Sequence, residues 1–403
     1  MKTVPAYLLG AITFVVTACQ AAEIWSRHTI DPSDQEAGKK GADGVRIGDI
    51  NGDGLPDIVT GWEEGDAIRV CLNPGPEACR EIWPGITAGR ARHTEDAVFG
   101  DLDGDGRLDV ISSSEGGTRT VFVHWAPGND EELADEALWK TVAFPATEKQ
   151  QRWMFCLPYD VDHDGDTDLF LGSKNENGSI SWLENPGNII ARDAEKWCLH
   201  RITDAAWIMT LKVLSSDGNN YLLASDRKGS NSGIYLIPLL NDSPFFGKAR
   251  LIAASGEEVM FLDVARLDDD DHLDIIASIK PNQTRIFYQP ESILAPWVDS
   301  SDLDPYSQDL YGNAKAVKVG DLSGDNIPDL ISRISSSPAN RQTGQNTGRS
   351  SVMSFQKSTK YGPKGAKFDR IELLDLDADG DLDIITCEEN DQLGVFWYEN
   401  PLK

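Results

Sequence analysis

Asp375, Asp377, Asp379 and Asp383 stand at positions 1, 3, 5 and 9 of a nine-residue stretch flanked by apolar runs. Carboxylates at this spacing can wrap one hard cation, because Ca2+ takes about six to eight oxygen ligands in a forgiving geometry. Gly380 lets the chain turn tightly between ligands. Four further stretches have the same form: Asp49, Asn51, Asp53, Asp57; Asp101, Asp103, Asp105, Asp109; Asp160, Asp162, Asp164, Asp168; and Asp321, Ser323, Asp325, Asp329. The expectation is up to five structural Ca2+ sites.

The elements that would position these loops follow from their period. The five stretches begin 52, 59, 161 and 54 residues apart. The long gap holds three such periods, and two degenerate copies fall inside it. One spans 213–221 with Ser215 and Asp217, the other 266–274 with Asp268, Asp270 and Asp274. A repeat near this length signals a solenoid, propeller or array. Within a unit, short β-branched runs bounded by Gly, Pro, Asn and Asp read as four strands, as over 45–49, 57–62 and 67–71 and a more variable fourth segment. Seven units of four strands predict an all-β fold, a seven-bladed β-propeller. The last unit stops after its third strand, whereas residues 24–30 resemble the fourth strands at 139–144 and 197–202. The expectation is therefore a ring closed by the N-terminal strand, which would hide a sheet edge.

The Asp-x-Asp-Gly-Asp-Gly-x-x-Asp pattern at 101–109, with the Trp-x-Glu-Asn-Pro-Gly tail from Trp182 to Gly187, resembles the FG-GAP/VCBS repeat propellers, relatives of the integrin alpha-subunit head. The likeness covers residues 24–401. It implies Ca2+-dependent blades and an extracytoplasmic setting. It implies no single activity, since such propellers include adhesion heads, lectin-like binders and carbohydrate lyases or dehydratases.

The acidic loops join first to second strands and so share one rim. The blade entries and the second-to-third-strand loops lie on the opposite rim, around the mouth of the central channel. There the sequence places Lys40, Arg92, Arg152, Arg227, Lys228, Lys280, Lys315 and Lys367, interleaved with Trp153 and Trp207. Cations beside aromatic faces suit an acidic or oxidised carbohydrate. The same cations could instead pair with Glu63, Glu95, Asp96, Asp226, Glu258 or Glu388. Of the six histidines, His93 alone is placed at this mouth. With Tyr311 it is the candidate base for proton abstraction beside a uronate carbonyl, in a β-elimination where Arg92, Arg152 or Lys315 stabilises the enolate. The alternative is a non-catalytic adhesion or protein-interaction propeller on the same rim.

The chain carries 66 acidic against 37 basic residues, a formal charge of −29, of which eighteen aspartates belong to the five loops. Such a balance argues against nucleic acid as a partner. Residues 1–22 read as an export signal, with Cys19 in a lipoprotein-like box, leaving 23–403 as the propeller. The destination is then the periplasm, the outer membrane through a lipid anchor, or the exterior. Cys71 and Cys79 flank a turn and could form a disulfide or remain buried thiols, the bland reading for Cys156, Cys198 and Cys387 as well. The oligomeric state is left open.

Overall fold

Short β-branched and aromatic runs, each stopped by Gly, Asp, Asn or Pro, form strands of two to nine residues. The computed structural model describes residues 24–175, 177–300, 303, 315–332, 339–340, 342–346, 351–354 and 368–402. The proposed export signal, Cys19, Tyr311 and Lys367 lie outside these residues. No helix among the described residues is long and apolar enough to cross a membrane.

After β1 (Ile24–Asp31), the first sheet comprises β2 (Ala42–Gly48), β3 (Asp57–Trp62), β4 (Ala67–Cys71) and β5 (Gly85–Arg90). The second has β6 (Thr94–Gly100), β7 (Asp109–Ser114), β8 (Thr120–Trp125) and β9 (Lys140–Ala143). The third has β10 (Arg152–Tyr159), β11 (Asp168–Lys174), β12 (Ser179–Glu184) and β13 (Cys198–Asp204). Next come β14 (Ile208–Ser216), β15 (Asn219–Asp226), β16 (Gly233–Leu239) and β17 (Arg250–Ala253), then β18 (Val259–Ala265), β19 (Asp274–Ile279), β20 (Gln283–Tyr288) and β21 (Val298–Ser300). All five are antiparallel meanders.

The last part of the chain departs from that regularity. β22 (Lys318–Gly320) and β23 (Asp329–Ile331) pair antiparallel, and after β24 (Ala339–Asn340) and β25 (Gln342–Asn346), β26 (Ser351–Ser354) joins β23 in parallel. β27 (Ile371–Leu374), β28 (Asp383–Glu388) and β29 (Gly394–Glu399) complete the order β24-β1-β29-β28-β27. The expected seven four-stranded blades closed by the N-terminal strand are thus corrected. The propeller has six four-stranded blades, of which β22-β23-β26-β25 contains the parallel pair, and the remaining sheet has five antiparallel strands. β1 is not that sheet's outer edge. It pairs with β29 on one side, and on the other Ile24 and Trp25 face Asn340 and Ala339. The physical reason is the polar stretch after β23, which the repeat period passes over: it sends β24 to a free strand edge elsewhere, where unpaired N–H and C=O groups accept a further strand.

First strands neighbour one another in the order β2, β6, β10, β14, β18, β22, β27. The second strands β3, β7, β11, β19 and β28 are buried end to end, since each sheet is covered on both faces by its neighbours. Tryptophans before the fourth strand fix the outer layer: the indole N–H groups of Trp83, Trp139, Trp197 and Trp297 donate to the carbonyls of Cys79, Leu133, Ala191 and Ile293. Each such burial contributes about 1.5–3 kcal/mol from apolar area alone. Cys71, Cys79, Cys156, Cys198 and Cys387 are free thiols, so the turn between Cys71 and Cys79 is not stapled. Cys79 instead donates to the Pro76 carbonyl at 3.3 Å.

Candidate metal centres

The acidic loops connect β2 to β3, β6 to β7, β10 to β11, β22 to β23 and β27 to β28. In all five, positions 4 and 6 have positive φ: Gly52 and Gly54, Gly104 and Gly106, His163 and Gly165, Gly324 and Asn326, Ala378 and Gly380. The left-handed turns at these positions bring odd-numbered side chains to one side of the loop. They strain a residue with a Cβ, as at Ala378 (φ 57°).

Position 1 binds its own loop. Asp49 accepts from the N–H groups of Asp53 and Gly54, Asp101 from Gly104 and Gly106, Asp321 from Asp325 and Asn326, and Asp375 from Asp379 and Gly380. Position 9 does something the spacing alone does not reveal. Asp57 accepts from the backbone of Ile50 at 3.0 Å and Asn73 at 2.8 Å. Asp168 does so from Val161 and Asn185, and Asp383 from Leu376 and Asn400. Asp57, Asp168 and Asp383, and likewise Asp109 through Leu102 and Ala126, are buried clasps that tie the start of the loop to the end of the third strand. Asp329 instead accepts from Leu322 and Ser323 at the start of its own loop. Asp274 in the degenerate loop makes the same clasp, to Leu267 at 2.9 Å and Gln289 at 3.0 Å. Desolvation dominates over these N–H donors, pushing Asp57 up to about 6, Asp168 to about 7, and Asp109 and Asp383 to about 8.

In three loops, carboxylate oxygens of at least three aspartates lie within 4.8 Å of one another: Asp101, Asp103 and Asp105; Asp160, Asp162 and Asp168; Asp375, Asp377 and Asp383. Asp160 Oδ1, Asp166 Oδ1 and Asp377 Oδ1 are buried without a hydrogen-bond partner. Convergent oxygen donors and buried oxygens without a donor fit a hard divalent cation such as Ca2+, which would be held by positions 1, 3 and 5 with the clasp at position 9. In the other two loops Asn51 and Ser323 replace an aspartate at position 3, with Asn51 bonded to Asp53 at 2.9 Å and Ser323 to Asp321 at 3.5 Å.

On the opposite rim the carboxylates also gather. Oxygens of Asp43, Glu63 and Glu389 lie within 4.8 Å of one another, as do those of Glu63, Glu95 and Glu115. β2 packs on β28 and on β6, which brings these strand ends together. Lys174 stands among them, 3.0 Å from Glu95 and 2.8 Å from Glu115. Burial, with Asp43 nearby, holds Glu95 well above the usual carboxylate range. Burial also pushes Glu115 up, but the hydrogen bond and charge of Lys174, with hydrogen bonds from Glu95 and Gly116, together outweigh it and hold Glu115 below that range. Glu95 keeps its proton in the folded chain to higher pH than in the unfolded one, so its ionisation withdraws stability as pH rises above about 4.3. The Glu95→Gln variant should lose less stability than the parent between pH 5 and pH 8, by roughly 1–3 kcal/mol in denaturant titrations. Parallel pH profiles would count against this.

Those of the expected cations that lie among the described residues are paired. Lys40 meets Glu64 at 2.8 Å, Arg92 meets Asp66 at 3.2 Å, Arg152 is 3.7 Å from Glu115, and Arg227 and Lys228 share Glu258. Lys315 pairs with Asp369, and Lys280 is also engaged. Trp153 is wholly buried and donates to the Thr147 carbonyl, so it has no face for a ligand. Trp207 carries Lys174 and Arg227 at 4.6 and 4.5 Å from its ring centre. Behind the mouth the first strands bring further side chains together. Arg46 and Asp96 pair at 2.7 Å, Lys318 and Glu372 at 2.7 Å, and Met154, Met209 and Met260 are buried among Phe155 and Phe261. His93 lies apart, exposed in a groove of about 490 Å3 with Arg92, Thr118, Thr120, Phe122, Glu148 and Lys149.

Sequence reasoning missed two residues at the acidic loops. Arg80, between β4 and β5, donates to Asp377 at 2.5 Å and to Glu399 at 2.8 Å. Arg192, between β12 and β13, pairs with Asp103 and lies 3.8 Å from Asp105. Their partners sit 297 and 89 residues away, and no local pattern announces them.

Residues 49–112 match the FG-GAP-like repeat family. No curated protein matches the chain. Among solved structures, it resembles the Dos1 propeller at 10% identity and TM-score 0.47, covering 85% of this chain and 75% of that one. BBS1N in complex with ARL6DN aligns at 11% identity and TM-score 0.49, over 94% of this chain and 98% of that one. The S. cerevisiae core factor aligns at 12% and 0.47, over 94% and 62%.

Proposed function

From a β-propeller that carries an FG-GAP-like repeat, we propose a binding module without catalytic chemistry of its own, stabilised by Ca2+ in the acidic loops of one rim. The observation that carries the metal half is the convergence of carboxylate oxygens in three loops together with the buried, donor-less oxygens of Asp160, Asp166 and Asp377. The interaction half rests on the repeat and on a mouth where acidic groups gather and the described cations are already engaged. Such a rim suits a partner that brings positive charge rather than an acidic glycan. Calcium titrated into chelator-treated protein should give saturable heat and raise the melting temperature. Absence of both would overturn the metal reading.

A second reading has one observation in its favour. Arg92, Lys149 and His93 line a single groove, a setting for an anionic sugar with His93 as base. If it holds, uronate oligomers bind the chain and His93→Ala abolishes any unsaturated product. Failure of uronates to bind removes it.

A further inference from the structure

The three convergent loops differ in what already balances their charge. In the loop at 101–109, Asp103 pairs with Arg192, which also approaches Asp105. In the loop at 375–383, Asp377 pairs with Arg80. Both arginines come from the turn between third and fourth strands of a neighbouring sheet, so each of these loops is supplied with a guanidinium across a seam. The loop at 160–168 has no such partner. Five aspartates, Asp160, Asp162, Asp164, Asp166 and Asp168, stand there, and no described residue forms an ion pair with any of them. In the next sheet the segment after β16 presents Phe245 and Phe246, which pack on Trp182 and Phe170.

Asp166, at position 7, adds a sign that the loop at 101–109, with Arg107 there, lacks. The loop at 375–383 shares it in the similarly buried Asp381, so that Arg80 alone ranks that loop lower. Asp166 is only 6% exposed, its Oδ1 has no donor, and the charges that bear on it are those of Asp164, Asp162 and Asp160. Burying a carboxylate without a counter-charge is costly, and that cost is relieved only by a proton or a cation. We propose that the loop at 160–168 is the tightest divalent-cation site of the protein, that Asp166 belongs to it, and that the loops at 101–109 and 375–383 fill at higher concentration because Arg192 and Arg80 compete for position 3. This ordering rests on the reading that the loops bind Ca2+.

The test is a calorimetric Ca2+ titration of the full chain, freed of metal by chelator, with circular dichroism as a check on folding. The wild type should show at least two affinity classes. Asp166→Asn should weaken the tightest class at least tenfold and leave the weaker ones in place. Arg192→Gln, combined with Arg80→Gln, should tighten the weaker classes several-fold, and this arm stands if Asp166→Asn does not fold. A wild type that takes up no Ca2+ would overturn the metal reading itself. A wild type that binds in classes, with the tight class unmoved by Asp166→Asn or the weak classes unmoved by loss of both arginines, would overturn the ordering alone.

Discussion

Asp274→Ala is expected to destabilise the chain by about 2–4 kcal/mol, equally in calcium and in chelator. Asp274 sits in the degenerate loop at 266–274, where position 1 is Arg266, so its neighbourhood has lost the full ligand set. Its carboxylate still accepts from Leu267 and Gln289 in a fully buried position. Alanine leaves two buried N–H groups without acceptors, each costing about 1–3 kcal/mol, while relieving part of the carboxylate's own desolvation. The neighbouring Asp268→Ala, which removes an exposed contact to the Asp270 backbone, should stay within about 0.5 kcal/mol. Urea denaturation with and without calcium measures both. Equal losses for the two variants, or a loss at Asp274 that appears only with calcium, would contradict the clasp.

Calcium removal is expected to have the largest effect. A site loaded at about a hundred times its dissociation constant contributes about 2.7 kcal/mol by mass action. Three convergent loops loaded in this way would contribute several kcal/mol together. For a domain somewhat larger than 150–250 residues, about 2–4 °C accompanies each kcal/mol at most. Chelator should therefore lower the melting temperature by several degrees, up to about 10 °C. Magnesium should restore less, because it is smaller and insists on a rigid octahedral shell. An unchanged melting temperature would count against loaded loops.

Much of this architecture was legible in the chain because the repeat states it several times. The five aspartate stretches, the strands on either side and the Asn-Pro-Gly turn at Asn185 all recur with one period, and the structure places them in corresponding parts of successive sheets. The blade count was not legible. Period arithmetic assigns one blade per interval, whereas the polar stretch after Ile331 lends β24 to the sheet of β1 and β29 and returns as β26 in parallel. The role of position 9 was hidden for another reason. An aspartate that clasps backbone and an aspartate that faces a cation are the same residue at the same spacing, and Asp274 separates them only once its partners are seen. At the opposite mouth the sequence placed Arg227, Lys228 and Glu258 near one another, but only the folded rim shows that the carboxylate claims both cations. Arg80 and Arg192 were invisible because a contact across a seam leaves no trace in local order.

The most direct measurement is a count of calcium bound per chain at equilibrium, by dialysis against a fixed free concentration followed by elemental analysis. Three or more ions per chain are expected, one for each loop whose carboxylates converge. A protein that reaches equilibrium with millimolar calcium and retains none would contradict the account.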